Sequence, residues 1–266
     1  MLRLIGLLLG LVLSVYVSAQ SVMADERHFT YSYEADVLPQ DGLEFEQWIT
    51  SRSGRDGGRY GRWEFREELE YGITDALTTA LYLNFRDTTF SPDDPSQEET
   101  KDFEFNGISS EWKYLISNPE LNPVGFLVYG EATYDSDFFT LEEKLVLSSN
   151  LSENLIAALN VSFEQEWEYE GSDTEKVGEF EVTGGLAYKL SPHWSAGVEI
   201  RNIREFDSFD FDHELENAWY AGPNLHYGTA NWWATLTVMP QIGVEGSRDL
   251  EDQEKVHVRL IVGRVF

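Results

Sequence analysis

Residues 62–73 read RWEFREELEYGI, and two chemistries alternate along them. Trp63, Phe65, Leu69, Tyr71 and Ile73 share one parity, while Arg62, Glu64, Arg66, Glu68 and Glu70 share the other. Successive side chains of a strand point to opposite faces, so this stretch has one greasy face and one ionised face. The next run repeats the pattern, with Leu77, Thr79, Leu81, Leu83 and Phe85 against Thr78, Ala80, Tyr82, Asn84 and Arg86. The last run sets Val256, Val258, Leu260 and Val262 against Lys255, His257 and Arg259.

About twelve such runs, each of roughly ten residues, follow one another, which is the length a membrane strand requires. The spans are 43–52, 62–73, 77–86, 104–116, 124–134, 139–148, 155–168, 178–190, 194–204, 217–228, 232–243 and 254–266. Their connectors alternate in character. Thr74 to Ala76, Ser117 to Pro123, Ser149 to Asn154, Ser191 to His193 and Thr229 to Asn231 are turn-like, rich in Asn, Pro and Ser. Asp87 to Phe103, Tyr169 to Val177, Glu205 to Glu216 and Gly243 to Gln253 are longer and acidic. Short periplasmic turns opposite longer acidic extracellular loops predict an all-β fold, a single antiparallel transmembrane β-barrel of about 12 strands over residues 43–266. An even strand count puts both ends of the barrel on the short-turn side.

Composition agrees. The chain has 266 residues, with 48 Asp+Glu against 19 Lys+Arg, a formal net charge of -29 and no cysteine. Such acidity argues against nucleic acid as a partner, and the missing cysteines exclude a disulfide scaffold, a thiolate zinc site and a Cys nucleophile. An aromatic content of 14% is too high for a disordered acidic chain. The mean hydropathy of -0.36 excludes a bundle of membrane helices but not a barrel, in which only alternate residues meet lipid.

The chain begins with Arg3 and an apolar run from Leu4 to Val17, followed by small-residue cleavage patterns ending at Ala19 and Ala24. Residues 1–24 are expected to be a cleaved secretory signal. Residues 25–42, containing FTYSYEADVLPQDG, are expected to be a periplasmic leader or a plug entering the barrel.

At the other end, Leu260, Val262, Arg264 and Phe266 share one parity. This closing strand resembles the C-terminal signal of Gram-negative outer-membrane proteins, which implies the barrel-assembly machinery as a partner through Phe266. Tyr71, Tyr114, Tyr188, Trp194, Tyr227, Trp232 and Phe266 fall at the short-turn ends, where an interfacial belt belongs, and Phe85, Phe105, Tyr134, Phe139, Phe163, Trp167, Phe180 and Trp219 fall near the other ends. Outer-membrane lipid and lipopolysaccharide are the expected surroundings.

If the greasy faces meet lipid, the ionised faces line the lumen. Parity places Glu44, Glu46, Arg62, Glu64, Arg66, Glu68, Glu70, Arg86, Glu131, Glu199, Arg201, His257 and Arg259 there, within an inward set where acids outnumber bases. Two readings stay open: a neutralised network that fills a small lumen, or a wetted lumen passing small solutes and mildly favouring cations. Glu67 and Glu143 carry lipid-facing parity near mid-strand, with Gln47 predicted opposite Glu67. Either a bulge turns them inward, or they form a seam against protein, such as a second copy of the chain.

Motifs for catalysis are missing: there is no HExxH, Gly-x-Ser-x-Gly or phosphate-binding glycine loop. No catalytic residue, cofactor or metal site is expected. The carboxylates of FDSFDFDHELE, including Asp207, Asp210 and Asp212, lack the Asp-x-Asp-x-Asp-Gly frame of a calcium loop. A closed adhesive barrel presenting such loops to divalent cations is one alternative to a channel. A lipid-modifying enzyme around His226 or His257 is another.

LEFEQWITSR at 43–52 and RWEFREELEYGITDALTTALYLNF at 62–85 resemble proteobacterial outer-membrane barrels of unassigned function. They are also similar to the barrel family linked to phenol-degradation operons. That resemblance implies an outer-membrane barrel aiding uptake of hydrophobic or aromatic compounds, and it supplies no catalytic residue.

Overall fold

The computed structural model describes residues 27–171, 173–244 and 248–266, so the predicted export signal lies outside the described residues. The strands are β1 (Leu43–Arg55), β2 (Gly58–Thr74), β3 (Leu77–Pro92), β4 (Thr100–Ser117), β5 (Gly125–Tyr134) and β6 (Phe138–Ser152). They continue as β7 (Leu155–Glu170), β8 (Asp173–Lys189), β9 (Trp194–Asp207), β10 (Glu214–Gly228), β11 (Trp232–Ile242) and β12 (Val256–Val265). Each pairs antiparallel with its neighbours in sequence, and β1 pairs with β12 to close the barrel. Closure leaves no unpaired sheet edge, which hydrocarbon would not tolerate.

Alternation sorts the wall as the sequence predicts. Leu81 is 65% exposed, whereas its neighbours Ala80 and Tyr82 are 1% and 2% exposed. Tyr71, Tyr114, Tyr188, Trp194 and Trp232 stand exposed toward the short-turn end, and Phe105 and Tyr134 toward the other. The first hairpin has the predicted register, with Gln47 opposite Glu67. Its outer end carries a bulge between Ser53 and Arg55, where Gly54 and Gly57 adopt φ of 80° and 79°.

The strands overrun the predicted spans at the outer end. Most of the expected loop 87–103 is strand, since β3 runs to Pro92 and β4 starts at Thr100, and most of 169–177 is strand as well. In these extensions polar residues such as Asp87, Thr88, Thr89, Lys101 and Asp102 fall on both faces, so the alternation fades from the sequence while the β3–β4 ladder continues to Phe90 and Thr100.

Candidate functional site in the barrel interior

Residues 27–38 run through the inside of the barrel. Phe29, Tyr31, Tyr33, Ala35 and Val37 are buried on one parity, and so are Thr30 and Ser32 on the other. Each apolar residue seats in a cluster supplied by the wall. Phe29 packs with Ile156, Ala158 and Ala187, and Tyr31 with Ile203, Ala218, Tyr220 and Met239. Tyr33, Ala35 and Val37 share a third cluster with Trp48, Leu127, Tyr129, Val146, Trp233 and Ile261.

Between Thr30 and Ala35 the backbone is bonded to wall side chains rather than to a partner strand. Glu199 accepts the N–H groups of Thr30, Tyr31 and Ser32 at 3.0, 2.9 and 2.9 Å, and Thr237 donates to the same carboxylate at 2.6 Å. Asn160 accepts from Tyr33 N–H at 2.5 Å and donates to its carbonyl at 3.0 Å. Ser148 accepts Ala35 N–H at 2.9 Å, and Asn224 donates to the carbonyl of His28 at 2.8 Å. A carboxylate receiving several N–H groups makes charge-assisted bonds, stronger than neutral ones.

The residues that parity directs inward are drawn into pairs around this segment. Arg66 meets Glu131 at 2.6 Å and lies 4.1 Å from the Tyr82 ring centre. Glu70 pairs with Lys113 at 2.5 Å, and Arg201 pairs with Glu181 and, at 3.8 Å, with Glu179. Arg52 and Arg62 flank Glu64 at 3.1 and 3.8 Å. Trp48 donates to Glu46 and Glu68 at 2.7 and 3.1 Å, and Trp233 donates to Glu44 at 2.5 Å. Arg259 donates to Thr50 and to the carbonyl of Thr30, its guanidinium 4.1 Å from the Tyr31 ring centre. Arg27 sits over Tyr33 at 3.9 Å and over Trp48 at 4.5 Å. Arg86 lies apart, half-buried with Glu104 at 2.6 Å in the outer part of the barrel.

A second pattern runs across the strands. Glu111 on β4 faces Glu131 on β5, which faces Glu142 on β6, then Glu164 on β7. Glu164 faces Glu179 on β8, which faces Glu205 on β9, which faces Glu216 on β10. Seven adjacent strands thus contribute one inward carboxylate each to a single register row. Strands tilt in a closed barrel, so such a row climbs along the axis. It starts at Glu111, in the short-turn half of β4, and ends two residues from the outer start of β10. Lys113, Arg66, Lys144 and Arg201 neutralise part of it. Among the described residues, Glu164 and Glu205 have no Lys or Arg ion pair. Like charges directly opposite one another cost stability, so the row is maintained against local preference.

Residues 249–255, which lead into β12, fold against the outer mouth, with the Leu250 carbonyl accepting the N–H of Asp56 at 2.7 Å. Glu254, 1% exposed, pairs with Arg55 at 2.6 Å and contacts His257 Nε2 at 3.0 Å. Burial pushes the Glu254 carboxyl up, but the His257 hydrogen bond and the charges of Arg52 and Arg55 prevail and hold it well below the usual carboxylate range. His257 stacks on Tyr220 with ring centres 4.2 Å apart, and His226 bonds Thr235 at 2.8 Å.

Several of these residues escaped the sequence reading. Arg52, Trp48, Ser148, Asn160, Thr235 and Thr237 all hold the interior; Trp48 and Arg52 share the parity of Glu44 and Glu46, and Thr235 and Thr237 have the parity opposite to the belt residue Trp232. The alternation Phe29, Tyr31, Tyr33, Ala35, Val37 was the visible signal of a segment that needs apolar seats. Glu67 and Glu143 lie at no register shift, which removes the bulge alternative. Both share the parity of exposed Leu69 and Leu145, and Glu143 accepts from Gln165 at 3.2 Å.

The fold is that of outer-membrane barrels. The COG4313 outer membrane channel from Pseudomonas putida F1 superposes with a TM-score of 0.62 at 13% identity, covering 90% of this chain and 100% of that one. The NanC porin gives 0.55 at 11% identity, covering 84% and 98%. The KdgM porin in complex with disordered oligogalacturonate gives 0.52 at 10%, covering 85% and 99%. No curated protein matches the sequence. The family model for DUF6662, a family of unknown function, matches residues 21–266, and the chain belongs to that family.

Proposed function

We propose that this barrel is a passive outer-membrane channel for small solutes, mildly preferring cations, and that residues 27–38 are its resident plug. The observation that carries the cation preference is the row of Glu111, Glu131, Glu142, Glu164, Glu179, Glu205 and Glu216, one carboxylate per strand. Carboxylate rings select cations in channels, and a row that climbs from lower wall to outer rim offers successive stations along a path. Glu44, Glu46, Glu68, Glu70, Glu131, Glu199, Arg66, Arg201 and Arg259 belong to the same lining in this reading. Outer-membrane lipid and lipopolysaccharide cover the outside. Phe266, whose N–H bonds the carbonyl of Leu43 at 2.9 Å, is the handle for the assembly machinery.

The competing reading is a permanently closed barrel, which the close hydrogen bonding of residues 30–35 favours. Its adhesive form needs loop carboxylates that reach a divalent ion. Asp210 already accepts from the N–H of Asp212 at 3.0 Å and from His213 at 2.8 Å, which fixes its own loop. Planar bilayers separate the two. A channel gives conductance with a reversal potential on the cation side in a salt gradient, and deletion of residues 27–38 enlarges that conductance. A silent bilayer for both proteins rejects the channel.

A further inference from the structure

We propose that a cavity at the short-turn end, where the N-terminal segment meets the wall, binds a small organic carboxylate. The cavity, of about 130 Å³, is lined by His28, Lys189, His193, Trp194, Ser195 and His226, together with a serine and a proline of the β8–β9 turn. In a chain with 48 acidic residues against 19 basic ones, this lining holds an ammonium, three imidazoles and two hydroxyls, and no carboxylate. The inference concerns ligand capture and does not require the barrel to conduct.

The groups are built rather than incidental. Ser195 is 1% exposed, and its hydroxyl has no hydrogen-bond partner among the described residues. A buried hydroxyl left so is costly unless something else receives it. Ser195 stands directly across from His226 in the β9–β10 register. All three imidazoles are anchored at Nδ1: His193 by the Gly228 carbonyl at 2.9 Å, His28 by Glu34 at 3.1 Å, and His226 by Thr235 at 2.8 Å. The Thr235 hydroxyl gives its own proton to the carbonyl of Arg27, so it accepts from His226.

Glu34, the carboxylate nearest this cluster in hydrogen-bond terms, is committed to His28 through both its ring and its N–H. The occupant therefore needs an anionic head for the Lys189 ammonium and the Ser195 hydroxyl. It also needs a compact apolar body for the Trp194 side. Because His28 belongs to the N-terminal segment while the rest belongs to β8–β10, an occupant would bridge segment and wall.

Calorimetric titration of the full-length folded barrel in detergent tests this, with benzoate as probe, benzamide as its uncharged isostere and inorganic phosphate as a charge without the apolar body. Saturable benzoate binding, with benzamide and phosphate each weaker by about tenfold or more, is expected. Lys189→Gln and Ser195→Ala should each weaken benzoate by about threefold or more. Lys189 is exposed, so its variant remains informative if the Ser195 variant folds poorly. Absent saturation, equal binding of benzamide or of phosphate, or unchanged affinity in Lys189→Gln overturns the proposal.

Discussion

The carboxylate of Glu199, on β9, accepts the backbone N–H of Tyr31 at 2.9 Å across 168 residues of sequence. It also takes the N–H groups of Thr30 and Ser32, so one side chain grips three consecutive peptide units. Glu199→Gln removes the charge while keeping the size. Hydrogen bonds to charged groups contribute about 1.5–3 kcal/mol each, so the amides of residues 30–32 should exchange with deuterium at least tenfold faster. Unchanged protection in hydrogen-exchange mass spectrometry would show that the grip is incidental.

Gly185 lies across from Glu199 and beneath Phe29, where an added Cβ would come 2.5 Å from the ring. Gly185→Leu is expected to push Phe29 from its seat while leaving the β7–β8–β9 ladders intact. Single-channel conductance should rise, and the heat-modifiable gel shift of the folded barrel should persist. A folded variant with wild-type conductance contradicts the plug.

Glu164 and Glu205 sit in the carboxylate row without a Lys or Arg ion pair among the described residues. The double variant Glu164→Gln, Glu205→Gln should move the reversal potential toward zero. It should also stabilise the barrel by about 1 kcal/mol, since like charges across strands repel. Urea unfolding and bilayer recording together check the pair of outcomes; unaltered selectivity dissociates the row from conduction.

Glu254 titrates below its ordinary range because of His257, Arg52 and Arg55. A depressed folded-state value means that the stabilisation is complete above the unfolded carboxyl value of about 4.3 and is lost as pH falls below it through the folded value. The outer-mouth segment should therefore stay protected at pH 5 and loosen only in stronger acid. Glu254→Gln should release it at pH 7, seen as faster proteolytic nicking near residues 248–255. Equal nicking in variant and wild type argues against the latch.

Glu67 has lipid-facing parity midway between Trp63 and Tyr71, opposite Gln47. Glu67→Leu is expected to stabilise the barrel in liposomes by about 1 kcal/mol, because charged groups on that face are costly near the bilayer centre. A loss of stability, or a cross-link between copies through position 67, would instead identify a protein contact there.

The barrel was legible because one physical rule, opposite faces in opposite solvents, acts on every strand and writes itself at period two. Runs such as Arg62–Ile73 therefore located strands and register, down to Gln47 opposite Glu67. The rule falls silent where solvent is the same on both sides. That is why the outer extensions of β3, β4 and β8 look like loops in the sequence. It is silent again inside the barrel, where Trp48 and Trp233 face inward and donate to carboxylates, although their residue type suits an interfacial belt equally well. The destination of residues 27–38 was left open between leader and plug, because Glu199, Asn160 and Ser148 recognise their backbone. Side-chain type marks the apolar seats of this segment but not those backbone contacts.

The dependence of that segment on the wall also sets a condition. Ser148, Asn160, Glu199 and Asn224 stand on β6, β7, β9 and β10, and only a curled, completed sheet presents them together. Residues 27–38 precede all four of these strands in the sequence, so their docked geometry needs strands that come after them. Order in this segment is therefore conditional on the assembled wall: displacing any one of those strands would take away part of its support.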